Sequence, residues 1–241
     1  MPVTGLYFCP DSGTTQAPAT AIIDRLSKRY QPVLTTKFSL EHRLLREHGL
    51  PTPTPTTSTP TSTTAPNLPS AASASTNNST GAAGGGAAQG RPDQPRFMQY
   101  LDLSHHPGKR FCLVDKTIVT LDPDFDQILT SKLQSLWGMR QTLKADGSGF
   151  DLEDFRIKVA TLTQGSMLKG VLVEVEYLPA STLEQGEAVI RDFIDQLELP
   201  SGANVRLYFS QAVRSGDKEG EEREFSILDT GMQYMELLRL R

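Results

Sequence analysis

Residues 154–179 read DFRIKVATLTQGSMLKGVLVEVEYLP, and this stretch decides the fold. Apolar side chains alternate with polar or charged ones along Phe155–Thr163 and again along Leu168–Tyr177, which is the period of a β-strand with two different faces. A short turn sequence, Gln164-Gly165-Ser166, separates the two runs. The stretch therefore predicts an antiparallel β-hairpin.

The hairpin carries charges of opposite sign on its two strands. Arg156 and Lys158 share one face of the first strand, and Glu174 and Glu176 share one face of the second. We favour a solvent-facing ladder of cross-strand ion pairs. The alternative is a barrel lined by acids and bases, with which tunnel-type, metal-dependent triphosphatases hold a divalent cation and a polyphosphate. Those enzymes continue the Glu-x-Glu pattern with another charged residue, whereas this chain has Leu178.

Four helices are predicted around the hairpin. The first runs over Pro18–Tyr30, with a proline near its start and an apolar stripe. The second begins at Asp122 as N-cap, and its stripe ends near Trp137, which we expect in the core. Capping boxes predict the third helix at Ser181-x-x-Glu184 and the fourth at Thr230-x-x-Gln233.

Short strands fill most of the remaining chain. We predict Gln141–Lys144 to be a strand that enters a turn at Asp146-Gly147. The other predicted strands are Val33–Phe38, Phe97–Leu103, Arg110–Val114, Thr117–Leu121 and Val205–Phe209. Many strands with short connections predict an α+β fold, in which an antiparallel, barrel-like sheet has flanking helices and is interrupted by a long disordered insertion.

The insertion is predicted from composition. From Gly49 to Gly90 the chain has no Asp, Glu, Lys or Arg, and its only large apolar side chains are Leu50 and Leu68. Such a segment buries too little apolar surface to offset the entropy of ordering it. We therefore expect residues 49–95 to be a disordered insertion, with 1–48 and 96–241 belonging to one folded domain.

Charge and motif content exclude several classes of function. The 24 basic and 28 acidic residues give a net charge of −4, which argues against a protein held to nucleic acid by phosphate contacts. The four histidines lack zinc-ligand spacing, and Cys9 and Cys112 are expected to be reduced thiols. No signal peptide or transmembrane segment is recognisable, so we expect a soluble intracellular chain. We also predict no catalytic, cofactor-binding or metal-binding residues.

Three stretches resemble one known family. The hairpin 154–179, the C-terminal DTGMQYMELL at 229–238 and VTLDPDFDQIL at 119–129 are similar to the corresponding parts of the Mediator subunit 20 family, and the insertion is a departure from it. The resemblance implies a barrel without enzymatic activity, in the nucleus, in the head module of the coactivator of RNA polymerase II. It also implies a heterodimer with Mediator subunit 18, a tethering helix from subunit 8, indirect contact with other head subunits and the polymerase, and no membrane or direct nucleic-acid binding.

The last helix is our candidate for a partner contact. A helix over 231–241 is too short to be stable alone in water, so it must pack on something. Met232, Met235 and Leu238 share one side of this helix, and Tyr234 lies beside Met235. We favour the protein's own barrel as the site where Met235 and Leu238 pack. The candidates for partner binding are Met232, Tyr234, Met235 and Leu238. On this interpretation Met235→Asp destabilises the fold, whereas Tyr234→Ala weakens association and spares the monomer.

Replacing residues 51–90 by a short Gly/Ser loop should leave the melting temperature unchanged or slightly raised. A shorter loop costs less closure entropy, by about 0.6 kcal/mol for each halving of its length. Calorimetry of the two chains measures the difference. A cooperative loss of the fold on deletion would show that the segment packs against the core.

Overall fold

The computed structural model describes residues 1–11, 18–48, 96–198, 206–212 and 223–239. It contains four helices and one antiparallel sheet of nine strands within these ranges. In chain order the elements are β1 (Val3–Pro10), α1 (Pro18–Tyr30), β2 (Val33–Glu47), β3 (Phe97–Leu103), β4 (Arg110–Val114), β5 (Thr117–Leu121), α2 (Phe125–Ser131), β6 (Trp137–Leu152), β7 (Phe155–Gln164), β8 (Met167–Tyr177), α3 (Leu183–Gln196), β9 (Arg206–Tyr208) and α4 (Ile227–Arg239).

The sheet is ordered β5-β4-β3-β2-β6-β7-β8-β1-β9, with every neighbouring pair antiparallel. Strands β7 and β8 form the predicted hairpin. Lys158 lies opposite Glu174 in its register, and Arg156 lies opposite Glu176. The predicted α+β class with an antiparallel sheet is confirmed.

Helix α4 lies inside the curl of the sheet. It contacts five strands, β1 to β5, and one face of every strand contributes to a single core cluster around it. The buried members of this cluster are Leu6, Phe8, Phe38, Leu40, Leu101, Leu103, Phe111, Leu113, Ile118, Leu143, Ala145, Ala160, Leu162, Leu172, Ala212, Tyr234, Met235, Leu237 and Leu238. A sheet whose strands pack around one helix must curve, which gives it the predicted barrel-like form.

The outer face of the sheet is covered by the other helices. Helices α1 and α3, of 13 and 14 residues, pack on β1, β7 and β8 through a second apolar cluster that includes Ile22, Leu26, Ile190 and Phe193. Helix α2 has only seven residues and packs on a third, smaller cluster at the other end of the sheet. The outer layer is therefore uneven, being thick over one half of the sheet and thin over the other.

Two strands differ from the sequence analysis. Strand β1 was not predicted, although it pairs with both β8 and β9, because Val3–Cys9 is buried on both faces and shows no alternation. Strand β2 was predicted only as far as Phe38, but it continues to Glu47, where Leu45 joins the core.

The predicted turn at Asp146-Gly147 is wrong, and β6 runs through it without interruption. Gly147 is opposite Ala160, and a Cβ atom on it would lie 2.0 Å from the carbonyl oxygen of Val159. The glycine thus permits close approach of two strands rather than reversal of the chain. Trp137 begins this strand instead of ending a helix, and it packs half-buried against the third cluster.

The predicted capping boxes are also wrong. Helix α4 begins at Ile227, so Thr230 and Gln233 lie inside it, fully buried. The real start is a box at Ser226, whose backbone N–H donates to Asp229 Oδ2 at 2.7 Å. Helix α3 begins after Thr182, which forms no side-chain cap. Helix α2 begins after Asp124 rather than after the predicted N-cap Asp122, whose Oδ1 accepts the backbone N–H of Asp124.

Some predictions fall wholly or partly outside the described residues. They are the disordered insertion 49–95, which stays a prediction, and the start of the strand at Val205. Residues 1–48 and 95–241 form one compact unit, in which β1 pairs with β8 and β2 pairs with β3 and β6.

Gly147→Val should destabilise the fold although valine favours strands. The new side chain meets the β7 backbone, which costs about 2–3 kcal/mol and lowers the melting temperature by about 4–12 °C. Thermal unfolding followed by circular dichroism measures this, with Thr142→Val on the same strand as the control. An unchanged melting temperature would mean that β6 and β7 separate at no cost at this point.

Candidate functional site

The charges of the hairpin face α4 rather than solvent. Lys158 is 5% exposed, Glu174 1% and Glu176 8%. The predicted cross-strand pairing of acids with bases is present, but its predicted exposure is wrong. The reason is the parity of the strands, because Lys158 and Glu174 share the face that carries Ala160 and Leu172 into the core around α4. We call these residues, with Tyr234 and His105, the interior polar cluster.

Glu174 is at the centre of the interior polar cluster. Its Oε1 accepts a hydrogen bond from Lys158 Nζ at 2.5 Å, and its Oε2 accepts one from the Tyr234 hydroxyl of α4. Lys158 Nζ also lies 4.0 Å from Glu176 Oε2. One carboxylate therefore connects β7, β8 and α4.

Arg156 completes the row at the edge of the cluster. Its Nη1 donates to Glu176 Oε2 at 3.3 Å, and its Nε donates to Asp151 Oδ1 on β6 at 3.0 Å. Arg156 and Asp151 are both more than two-fifths exposed, so this end of the row reaches solvent.

The loop between β3 and β4 brings His105 to the cluster. His105 Nε2 lies 3.7 Å from Glu174 Oε1, and its ring packs on Phe38 and His106 with centroid separations of 5.5 Å and 4.1 Å. Burial lowers the pKa of His105 to about 4, in spite of the opposite pull of Glu174. The imidazole is therefore neutral at pH 7.

The two glutamates differ in protonation behaviour. Burial alone would raise the pKa of Glu174, but Lys158, His105 and the Tyr234 hydrogen bond together lower it to about 2. The pKa of Glu176 is raised from its ordinary value, by burial and by the charge of Glu174, against the opposing effects of Lys158 and Arg156. Glu174 is thus a permanent buried anion with compensating partners.

This arrangement does not favour a tunnel-type phosphohydrolase. Both oxygens of Glu174 already accept hydrogen bonds from protein groups, and α4 occupies the interior where a polyphosphate would lie. Within the described ranges, no group of three or more His, Cys, Asp or Glu side chains is arranged to hold a metal ion. The geometry instead stabilises the contact between the hairpin and the helix.

A second buried ion pair fixes the start of α4. Asp229 Oδ1 lies 2.6 Å from Arg223 Nη2 and accepts the backbone N–H of Ala212 at 2.8 Å. Farther along the helix, Gln233 Nε2 donates to the carbonyl of Thr4 on β1 at 2.9 Å. Helix α4 is therefore bonded to both β1 and the chain that follows β9.

The four residues predicted for partner binding belong to this internal helix. Tyr234, Met235 and Leu238 are at most 1% exposed, and Met232 is partly buried against the same cluster. Met235 and Leu238 lie in the core, as expected. Tyr234 bonds to Glu174 and offers no surface in the isolated chain, so we no longer expect Tyr234→Ala to spare the monomer. The box at Ser226 and Asp229 is the signal that would have set the correct register of α4.

Tyr234→Phe should lower the free energy of unfolding by about 1–3 kcal/mol, because Glu174 Oε2 loses its donor in the interior. Tyr234→Ala should cost about 3–5 kcal/mol because it also leaves a cavity. Urea unfolding measures both, with Tyr177→Phe on the outer face as the matched control. If Tyr234→Ala kept full stability and lost only partner binding, our first interpretation of this residue would be the correct one.

Among the residues that the structure describes, no helix combines the length and apolar character that crossing a membrane requires.

The chain is similar to known proteins over most of its length. A family model described as "TATA-binding related factor (TRF) of subunit 20 of Mediator complex" matches residues 1–239. "Mediator of RNA polymerase II transcription subunit 20" of Anopheles gambiae is 30% identical over 152 residues, which cover 59% of this chain and 68% of that one. The protein of the same name from Schizosaccharomyces pombe is 23% identical over 129 residues, 52% of this chain and 66% of the relative.

One plant relative and one solved structure extend the comparison. Subunit 20b of Arabidopsis thaliana is 26% identical over 104 residues, 42% of this chain and 47% of the relative. A protein of Pyrococcus horikoshii OT3 aligns with 83% of this chain and 92% of its own length, at 12% identity and a TM-score of 0.41, too low a likeness to carry an argument. On the family match across residues 1–239, with relatives in fungi, insects and plants, this chain belongs to the Mediator subunit 20 family.

Proposed function

We propose that this chain is a non-enzymatic subunit of the Mediator coactivator and regulates transcription by RNA polymerase II through protein–protein contacts in the head module. The observation that carries the proposal is the family match over residues 1–239. The relatives from fungi, insects and plants are named as Mediator subunits for RNA polymerase II transcription. Work in that complex implies a nuclear location.

The interior of the fold supports a scaffolding role. The row of acids and bases that we compared with a catalytic site is compensated within itself and is bonded to α4. Helix α4 fills the space that a substrate would need. This arrangement supports a role in which the chain displays its outer surfaces to other subunits.

Specific partners follow from the family resemblance. We propose a heterodimer with Mediator subunit 18, a helix of subunit 8 that tethers this pair, and indirect contact with the other head subunits and the polymerase. The net charge of −4 supports binding to proteins rather than direct binding to nucleic acid. We assign the chain no cofactor and no metal.

Affinity purification of the full tagged chain from nuclear extract at high salt should recover Mediator subunits, with subunit 18 in equal amount. Apolar interfaces resist salt, whereas contacts that depend on phosphate charges weaken steeply with it. Mass spectrometry identifies the partners. Recovery of no Mediator subunit would contradict the proposal.

An activity assay on the same preparation provides the second arm. We expect no phosphate release from nucleoside triphosphate with Mg²⁺ or Mn²⁺, because both oxygens of Glu174 accept internal hydrogen bonds. Metal-dependent turnover that is abolished by Glu174→Gln would show that the chain is an enzyme and would overturn the proposal.

A further inference from the structure

The thinly covered end of the sheet exposes several large apolar side chains. The cluster beneath α2 has five buried members, Leu45, Met98, Tyr100, Cys112 and Leu129. Around it, Val119 is 43% exposed, Ile128 47%, Leu136 44% and Met139 51%. We call these four exposed side chains the α2 flank.

The four side chains of the α2 flank border the same cluster. Val119 is directly opposite Cys112 in the β4–β5 register, and Met139 is directly opposite Leu45 in the β2–β6 register. Ile128 precedes Leu129 on α2, and the backbone N–H of Leu136 donates to the carbonyl of Leu133, which also packs on the cluster. The flank is thus the outer rim of a core rather than four scattered residues.

The other half of the sheet shows what the flank lacks. There, α1 and α3, of 13 and 14 residues, cover the apolar outer face, whereas here α2 supplies seven residues. A sheet with an apolar outer face is completed by a layer of helices. One more amphipathic helix would complete the outer layer over the flank.

Charges around the flank specify that helix further. Lys132 and Arg140 are exposed and form no ion pair with any residue in the described ranges. Asp126, in contrast, is already engaged by Arg43. The two cations stand beside Leu133 and Met139, so a helix that covers the flank must bring acidic side chains to that end.

The chain's own insertion is unsuited to this role. Its flanking residues lie beside the flank, since His48 donates its N–H to the carbonyl of Leu136 and Arg96 precedes β3. Residues 49–90, however, contain no acid to pair with Lys132 and Arg140 and only two large apolar side chains. This composition favours a covering element from another molecule.

Resting on the proposed function, we propose that the α2 flank is the docking surface for an acidic amphipathic helix of another Mediator subunit. The helix lies beside α2 and completes the outer layer, with apolar side chains on Ile128, Leu136 and Met139 and carboxylates facing Lys132 and Arg140. Its burial of exposed apolar surface supplies the affinity, and the charges fix its direction.

The test uses the full tagged chain in nuclear extract. Ile128→Asp/Met139→Asp and Lys132→Glu/Arg140→Glu should each reduce at least tenfold the co-purification of the subunit that contributes the helix. All four side chains are exposed, so the melting temperatures should stay within a few degrees of the parent chain. Met167→Asp, on an apolar side chain that is 60% exposed at the tip of the β7–β8 hairpin, is the control and should bind normally. Normal recovery with both double variants would overturn the docking surface.

A photoreactive residue at position 139 identifies what covers the flank. We expect cross-links to a helical, acidic segment of a Mediator subunit, and reversal of the acids in that segment to Lys should restore binding of Lys132→Glu/Arg140→Glu. Cross-links only to residues 49–95, to a second copy of the chain or to a basic segment would overturn the inference. Loss of all Mediator subunits with the parent chain would instead refute the proposed function, so the two failures are distinguishable.

Discussion

The buried carboxylate of Glu174 requires hydrogen-bond donors that only the folded arrangement of the hairpin and α4 supplies. Removing such a charge from water costs several kcal/mol unless partners replace its hydration. Lys158 across the hairpin and Tyr234 on α4 are those partners, one on each oxygen. Because the partners come from β7 and from the last helix, the charge is compensated only when the sheet has closed around α4. The two hydrogen bonds of Glu174 can therefore form together only when the β7–β8 register, the curvature of the sheet and the position of α4 are all correct.

This constraint also separates the chain from proteins that use a charged barrel interior for chemistry. A catalytic interior needs unfilled space and carboxylates with lone pairs left for a cation. Here a helix with Tyr234, Met235 and Leu238 occupies the space, and the Lys158 ammonium and the Tyr234 hydroxyl each take one lone pair on an oxygen of Glu174. The inside of the sheet serves stability, and our proposal places partner recognition on its outer face, where α1, α2 and α3 leave an uneven cover.

The sequence alone predicts the elements that a local pattern of apolar and polar residues encodes. The hairpin register follows from alternation and a short turn, and α1 follows from its apolar stripe. Strand β1 could not be predicted because a strand buried on both faces has no alternation. Gly147 was misread because a glycine that admits a neighbouring strand and one that turns the chain look identical in sequence. Which face of Lys158 and Glu174 is inner depends on α4, which is more than fifty residues away in the chain.

The position of α4 after all nine strands in chain order has a consequence for synthesis. A ribosome releases the chain from its N-terminal side, so the strands emerge before α4 does. Until residues 227–239 leave the exit tunnel, β1 lacks the Gln233 side chain that donates to the Thr4 carbonyl, and Glu174 has only one of its two donors. The sheet can therefore close only after α4 has been synthesised. A premature stop before residue 227 removes the helix at the centre of the inner core, and we expect the product to be degraded.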